Sequence, residues 1–158
     1  MNLNIPYMET DNKLLNDAYR IAAGDIVGNI VYYQNGLLTE EKPCMIAGLD
    51  YNTPWTRDTA INIWNALSIL SPEVSKNTLL AVLEEEEGNI YIGGQYWDSI
   101  IWMIGAREYC RFHKDDNFYR LAFEAGRNSV HRLEEDEFDE EDGLFRGPAV
   151  YGLSLIHI

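Results

Sequence analysis

Two short stretches hold residue types suited to chemistry on an uncharged, hydroxyl-rich ligand. One is Asp50-Tyr51-Asn52-Thr53-Pro54-Trp55-Thr56-Arg57-Asp58; the other is Gly93-Gly94-Gln95-Tyr96-Trp97-Asp98. Each sets aromatic rings beside a carboxylate. An aromatic face stacks on the C–H face of a pyranose, and a planar carboxylate accepts from two adjacent hydroxyls. Arg57 is placed to keep the neighbouring Asp58 ionised and fixed while donating to a ring or hydroxyl oxygen. Tyr51, Trp55, Arg57, Asp58, Trp97 and Asp98 are therefore candidate binding residues. The plainer reading is that Asp58 and Asp98 complement helix N-termini and that the two tryptophans are core. Two such motifs at matching positions of a repeat favour the first reading.

The elements that must carry these residues can be read from hydrophobic period. Asp11 to about Tyr33 carries Leu14, Leu15, Ala18, Ile21, Ala22 and Ile26 on one side. Thr56 to Ser71 is apolar nearly all round, and so is Gln95 to about Phe112. Ser71-Pro72-Glu73 is an N-cap signature opening a one-sided helix with Val74, Leu79, Val82 and Leu83 inward and Lys76 and Glu84 to Glu86 outward. Asp115-Asp116 caps another one-sided helix through Phe118, Leu121, Ala122, Ala125, Ser129 and Leu133. All-round apolar helices are buried and one-sided ones lie at the surface, so the order predicted is outer, inner, outer, inner, outer. No Val/Ile/Thr alternation is long enough to argue for a sheet, although Asn89 to Ile92 fits a short strand or hairpin. The links after inner helices are short (Ser71-Pro72, His113-Lys114), and those after outer helices are long (Gln34 to Trp55, Glu87 to Gly94, Asp136 onward). Alternation of this kind winds an α/α toroid, with the long loops, and hence the site, gathered at one end.

Trp55-Thr56-Arg57-Asp58 resembles the Trp-x-Arg-Asp element of glucoamylase-type six-hairpin glycosidases. Gln95-Tyr96-Trp97-Asp98-Ser99 is similar to the Gln-x-x-Asp of the same group and to the Trp-Asp of trehalase-like enzymes. Phe138 to Gly147 resembles the Asp-Gly-Leu-(Phe/Ile)-x-Gly segment leading into a further inner helix. The resemblance spans roughly Leu14 to Gly152 and is to the superfamily. It implies an all-α fold, a partial (α/α)₆ toroid truncated before closure. It also implies hydrolysis of O-glycosidic bonds by two carboxylates, commonly inverting, one protonating the glycosidic oxygen and one activating water across about 6.5–9.5 Å. The glycone pocket would then be lined by the residues above together with Gln95. On that pattern the acid comes in or just after the third long loop and the base in the later half of the barrel, so the base is absent here and the acid is expected to be absent too. Glu141 and Asp142 are the weak candidates for the acid, against the plainer reading of a solvated acidic loop.

Composition bounds the alternatives. The chain has 158 residues, 46% hydrophobic, enough for a sizeable core in one domain. Its formal net charge of −14 repels phosphate backbones and anionic lipid, which argues against nucleic acid or a membrane as partner and suits an oligosaccharide or glycoside. Cys44 and Cys110 read as buried thiols, and no cofactor is called for. Asp139, Glu141 and Asp142 lack the regular spacing of a calcium loop, so no metal site is assigned. With no signal segment if Met1 is the true start, a cytoplasmic location is expected. Leu153 to Ile158 read as a sequencing-adapter artefact, leaving residues 1–152 as the N-terminal part of one catalytic domain, expected to be inactive alone. The rival readings are another α/α toroid enzyme (a sugar epimerase or a disaccharide phosphorylase) and a non-catalytic α-solenoid. His113 and His131 lie away from the predicted mouth, against the epimerase. Uneven unit lengths and Trp- and Tyr-bearing loops argue against the solenoid.

Overall fold

The computed structural model describes residues 5–48, 50–95 and 97–146. Leu49, Tyr96 and the whole of 147–158 lie outside them, as does the reading of the final six residues as an artefact. The described part is mostly helical, with three small antiparallel strand pairs.

Asn12 starts α1 (Lys13–Gly28), its side-chain carbonyl accepting from the Leu14 and Leu15 amides. The helix stops at Gly28-Asn29, five residues short of the sequence expectation. Ile30-Val31-Tyr32-Tyr33 is β-branched and aromatic and forms β1 (Ile30–Tyr33), paired with β2 (Lys42–Met45). The apolar stripe of α1 is not covered as expected, since none of its residues is buried and Leu14, Leu15 and Ile21 are exposed.

The first predicted inner helix is a continuous rod in three stretches: α2 (Thr56–Asn62), a π-helical turn (Ile63–Leu67) and α3 (Ser68–Leu70). After one linking residue comes α4 (Pro72–Ala81). Pro72 opens it as predicted, but the Ser71 side chain makes no capping bond; the Ser71 carbonyl accepts from Ser75 instead. Val74, Leu79, Val82 and Leu83 are buried as expected. Glu84 to Glu86, however, are not helical. Glu87 and Gly88 both have positive φ (52° and 81°), the pairing of a tight hairpin turn. That turn joins β3 (Leu83–Glu86) to β4 (Asn89–Ile92).

The second inner rod is α5 (Asp98–Phe112), followed by α6 (Asp116–Glu137). Asp115 caps α6 as predicted, accepting from the Phe118 amide at 3.0 Å. A last small hairpin pairs β5 (Phe138–Asp139) with β6 (Leu144–Phe145).

Three contacts fix the direction of the two inner rods. Arg57 meets Asp98 near their starts, Gly105 lies against Ala60 further along, and His113 meets the Ser68 carbonyl near their ends. They therefore run side by side in the same direction. A Cβ on Gly105 would stand 2.8 Å from Ala60 Cα, so only glycine permits this approach. Trp102, fully buried, donates to the Leu79 carbonyl, and Phe118, Ile63, Leu67 and Leu79 complete the centre of the core around it. Lys76 on α4 reaches Asp115 at 2.6 Å and ties the start of α6 to the same layer. The inner rods are not buried all round, contrary to expectation. Ile61, Trp64 and Ile69 on one, and Ile100 and Ile104 on the other, keep an exposed apolar face.

Candidate functional site

The site lies where the inner rods begin. Thr56 is buried in the first turn of α2, and its hydroxyl donates to the Gly93 carbonyl at 2.8 Å, fastening the end of the β3–β4 hairpin across the helix start. Gly94 follows with φ 111°, a conformation open to glycine. A Cβ there would lie 2.8 Å from Asp98 Oδ2 and 2.9 Å from Thr56 Oγ1. The backbone thus passes close between two helix starts because residue 94 has no side chain.

Arg57 bridges those starts. Its Nε and Nη2 donate to one oxygen of Asp98, at 3.0 and 2.7 Å. The other oxygen, Oδ2, accepts from the Gln95 amide at 2.9 Å. Asp98 is therefore buried and saturated, holding Arg57 on one side and its own preceding turn on the other. This corrects the expectation that Arg57 serves the adjacent Asp58. Residues 57 and 58 point about 100° apart on a helix, whereas Asp98 faces Arg57 across the helix pair.

Asp58 is left half-buried. Desolvation pushes its carboxyl above the usual carboxylate range; a hydrogen bond from its own backbone amide and the charge of Arg57 pull the other way, and the charge of Asp98 adds a smaller rise. Asp58 and Asp98 do stand at the same end of the helix pair, as the sequence spacing predicts.

The aromatics are not core. Trp55 and Trp97 are 43% and 46% exposed, while Trp102 of the same chain is sealed. Tyr51 meets Trp55 edge to face, ring centroids 5.3 Å apart, and helps hold that indole at the surface. Gln95 is exposed and lines a cleft with Ser99.

The acidic stretch lies in the β5–β6 turn, with Glu141 and Asp142 both exposed. Asp139 accepts from the amides of both, and Arg146 pairs with Asp139 and Asp142, each at 2.6 Å. Phe145 and Arg146 of this hairpin share a small cleft with Trp97, so the third long segment does reach the second motif. Among the described residues, no group of three or more His, Cys, Asp or Glu is disposed to hold a metal ion. His113 sits at the far end of the rods, and His131 pairs with Glu134 on the exposed side of α6. No described helix is long and apolar enough to cross a membrane.

Three participants escaped the sequence reading: Thr56, the Gly93-Gly94 pair and Glu84, whose carboxylate lies against Gly93. The double glycine before Gln95 was the available signal. No family model, curated protein or solved structure matches this chain.

Proposed function

We propose that this chain supplies the sugar-holding part of a glycosidase that works by two carboxylates, its helices forming an arc of an (α/α) toroid. The observation that carries the reading is the Arg57–Asp98 bridge across two parallel helix starts, each headed by a half-exposed tryptophan. A ring of sugar laid on an indole face presents its hydroxyl edge to such a mouth. Arg57 is charge-balanced by Asp98, so it donates without drawing in an anion. Asp58, released from Arg57, is the carboxylate to accept from two adjacent hydroxyls. Of the two candidates for the acid, Asp142 is bonded to Arg146 at 2.6 Å, and Glu141 stands exposed in the same turn.

The test is binding of a panel of aryl glycosides to the unsubstituted protein and to Asp58→Asn, and hydrolysis of the same panel by a longer protein that contains this segment and a catalytic base. Hydrogen bonds to a charged group contribute roughly 1.5–3 kcal/mol, so affinity, and kcat/KM in that longer protein, should fall about ten- to a hundred-fold. Asn caps a helix nearly as well as Asp, so a purely capping role predicts unchanged binding and turnover. Unchanged binding in the variant removes Asp58 from sugar binding. No hydrolysis of any glycoside, together with no binding of sugars, ends the glycosidase reading. Cleavage that needs added inorganic phosphate would instead make the protein a phosphorylase.

A further inference from the structure

Three clefts adjoin one another along the mouth. The first, about 230 Å³, lies beside Trp55 and is floored by Gly93 and Gly94, with Glu84 on its wall. The second, about 290 Å³, runs between the β3–β4 hairpin and α6; it shares Glu84, Gly93 and Gly94 with the first and adds Gln95, Ser99 and Glu137. The third, about 50 Å³, shares Glu137 with the second and ends on Trp97. Each is smaller than the roughly 300–1,000 Å³ that encloses one drug-sized ligand, and only in succession do they reach that size. Half-exposed indoles stand at the two ends, and amide, hydroxyl and carboxylate groups line the middle.

The two arginines that line these clefts are already committed. Arg146, at the third, is held by Asp139 and Asp142. Arg132, which faces the second cleft, is bonded to Glu86 at 2.6 Å and lies 3.5 Å above the Tyr91 ring. A uronate or phosphorylated sugar would find no uncompensated charge on either, and would meet Glu84 and Glu137. We infer that the site is an open groove for a chain of neutral sugars, running from Trp55 past Gln95 and Ser99 to Trp97, and not a closed pocket for a single sugar. The inference rests on the glycosidase reading and specifies its substrate.

Tryptophan fluorescence separates the two ends. Trp55→Phe and Trp97→Phe each keep a flat ring but remove one reporter, and both positions are exposed enough to tolerate the change. The unsubstituted chain and both variants are titrated with neutral gluco- and manno-oligosaccharides, disaccharide through hexasaccharide, in α- and β-linked series. Oligouronates serve as the charged control. Affinity should rise about ten-fold from disaccharide to tetrasaccharide. The tetrasaccharide response should be reduced in both variants, and the disaccharide response lost in only one. Affinity independent of length, with the response confined to one tryptophan, overturns the groove and leaves the glycosidase reading standing. Tighter binding of the oligouronates overturns the neutral-chain assignment. No response to any sugar, confirmed by calorimetry, rejects the groove together with the reading it rests on.

Discussion

Replacing Asp98 by Asn tests whether the Arg57 bridge holds the two helix starts together. The carboxylate accepts three hydrogen bonds, two from Arg57 on Oδ1 and one from the Gln95 amide on Oδ2. An Asn side chain has one carbonyl oxygen and can retain the guanidinium or the Gln95 amide, not both as they stand. Loss of a fully buried charge pair by deleting one partner costs about 3–5 kcal/mol. Here the Arg57 side chain keeps 27% of its exposure and Asp98 12%, so water recovers part of the loss. Hydrogen bonds to charged groups, at about 1.5–3 kcal/mol, are the better scale, and about 2–3 kcal/mol is expected. For a chain of this length that lowers Tm by about 5–10 °C. Urea and thermal unfolding of Asp98→Asn, Arg57→Met and the double variant give the coupling directly. The double variant should recover part of the sum, because it leaves no orphaned charge. A coupling below about 0.5 kcal/mol would mean that the bridge is incidental and the helix starts are placed by packing alone.

Other expectations follow from single residues. Gly94→Ala forces a side chain into a backbone of φ 111° and against Asp98 and Thr56, and should cost about 1–3 kcal/mol in urea unfolding; a neutral result would show that the hairpin end can shift freely. Asp58 has its folded-state pKa raised above the ordinary 3.8 by desolvation, so its charge opposes folding above the raised pKa and ceases to do so below 3.8. Asp58→Asn should therefore gain stability at neutral pH, with the gain vanishing in acid, and a gain that grows as pH falls would reverse the assignment. The Cys44 thiol is fully buried and pushed up to about 12 by desolvation, so it should resist an aromatic disulfide reagent until the chain unfolds. Rapid labelling of Cys44 in the native protein would contradict that burial.

What the sequence disclosed was what local chemistry decides. The starts of α4 and α6 were readable because Pro72 fixes a first helical turn and Asp115 satisfies an orphan amide within three residues. The exposure of Trp55 and Trp97 was one of two readings, decided only by packing. The Arg57–Asp98 bond joins residues 41 positions apart and depends on the register of two rods, which no local pattern encodes. The run Glu84 to Glu86 looked like the polar face of a helix because charge says nothing about period. The turn formed by Glu87 and Gly88 overrode it, drawing Leu83 to Glu86 into a strand. The exposed faces of α1 and of the inner rods mark the same boundary. An apolar stripe specifies that a face seeks cover, not which part of a molecule provides it.

The Gly105–Ala60 contact has a mechanical consequence for the mouth. It lies seven residues beyond Asp98 and four beyond Thr56, hence about 10 and 6 Å down the two rods. With no side chain between them there, the helices approach backbone to backbone. A methyl at residue 105 would have to push the rods apart at that level, and any separation carried back to their starts would lengthen the reach that Arg57 must span to Asp98. The spacing at the mouth is thus tied to a residue inside the core.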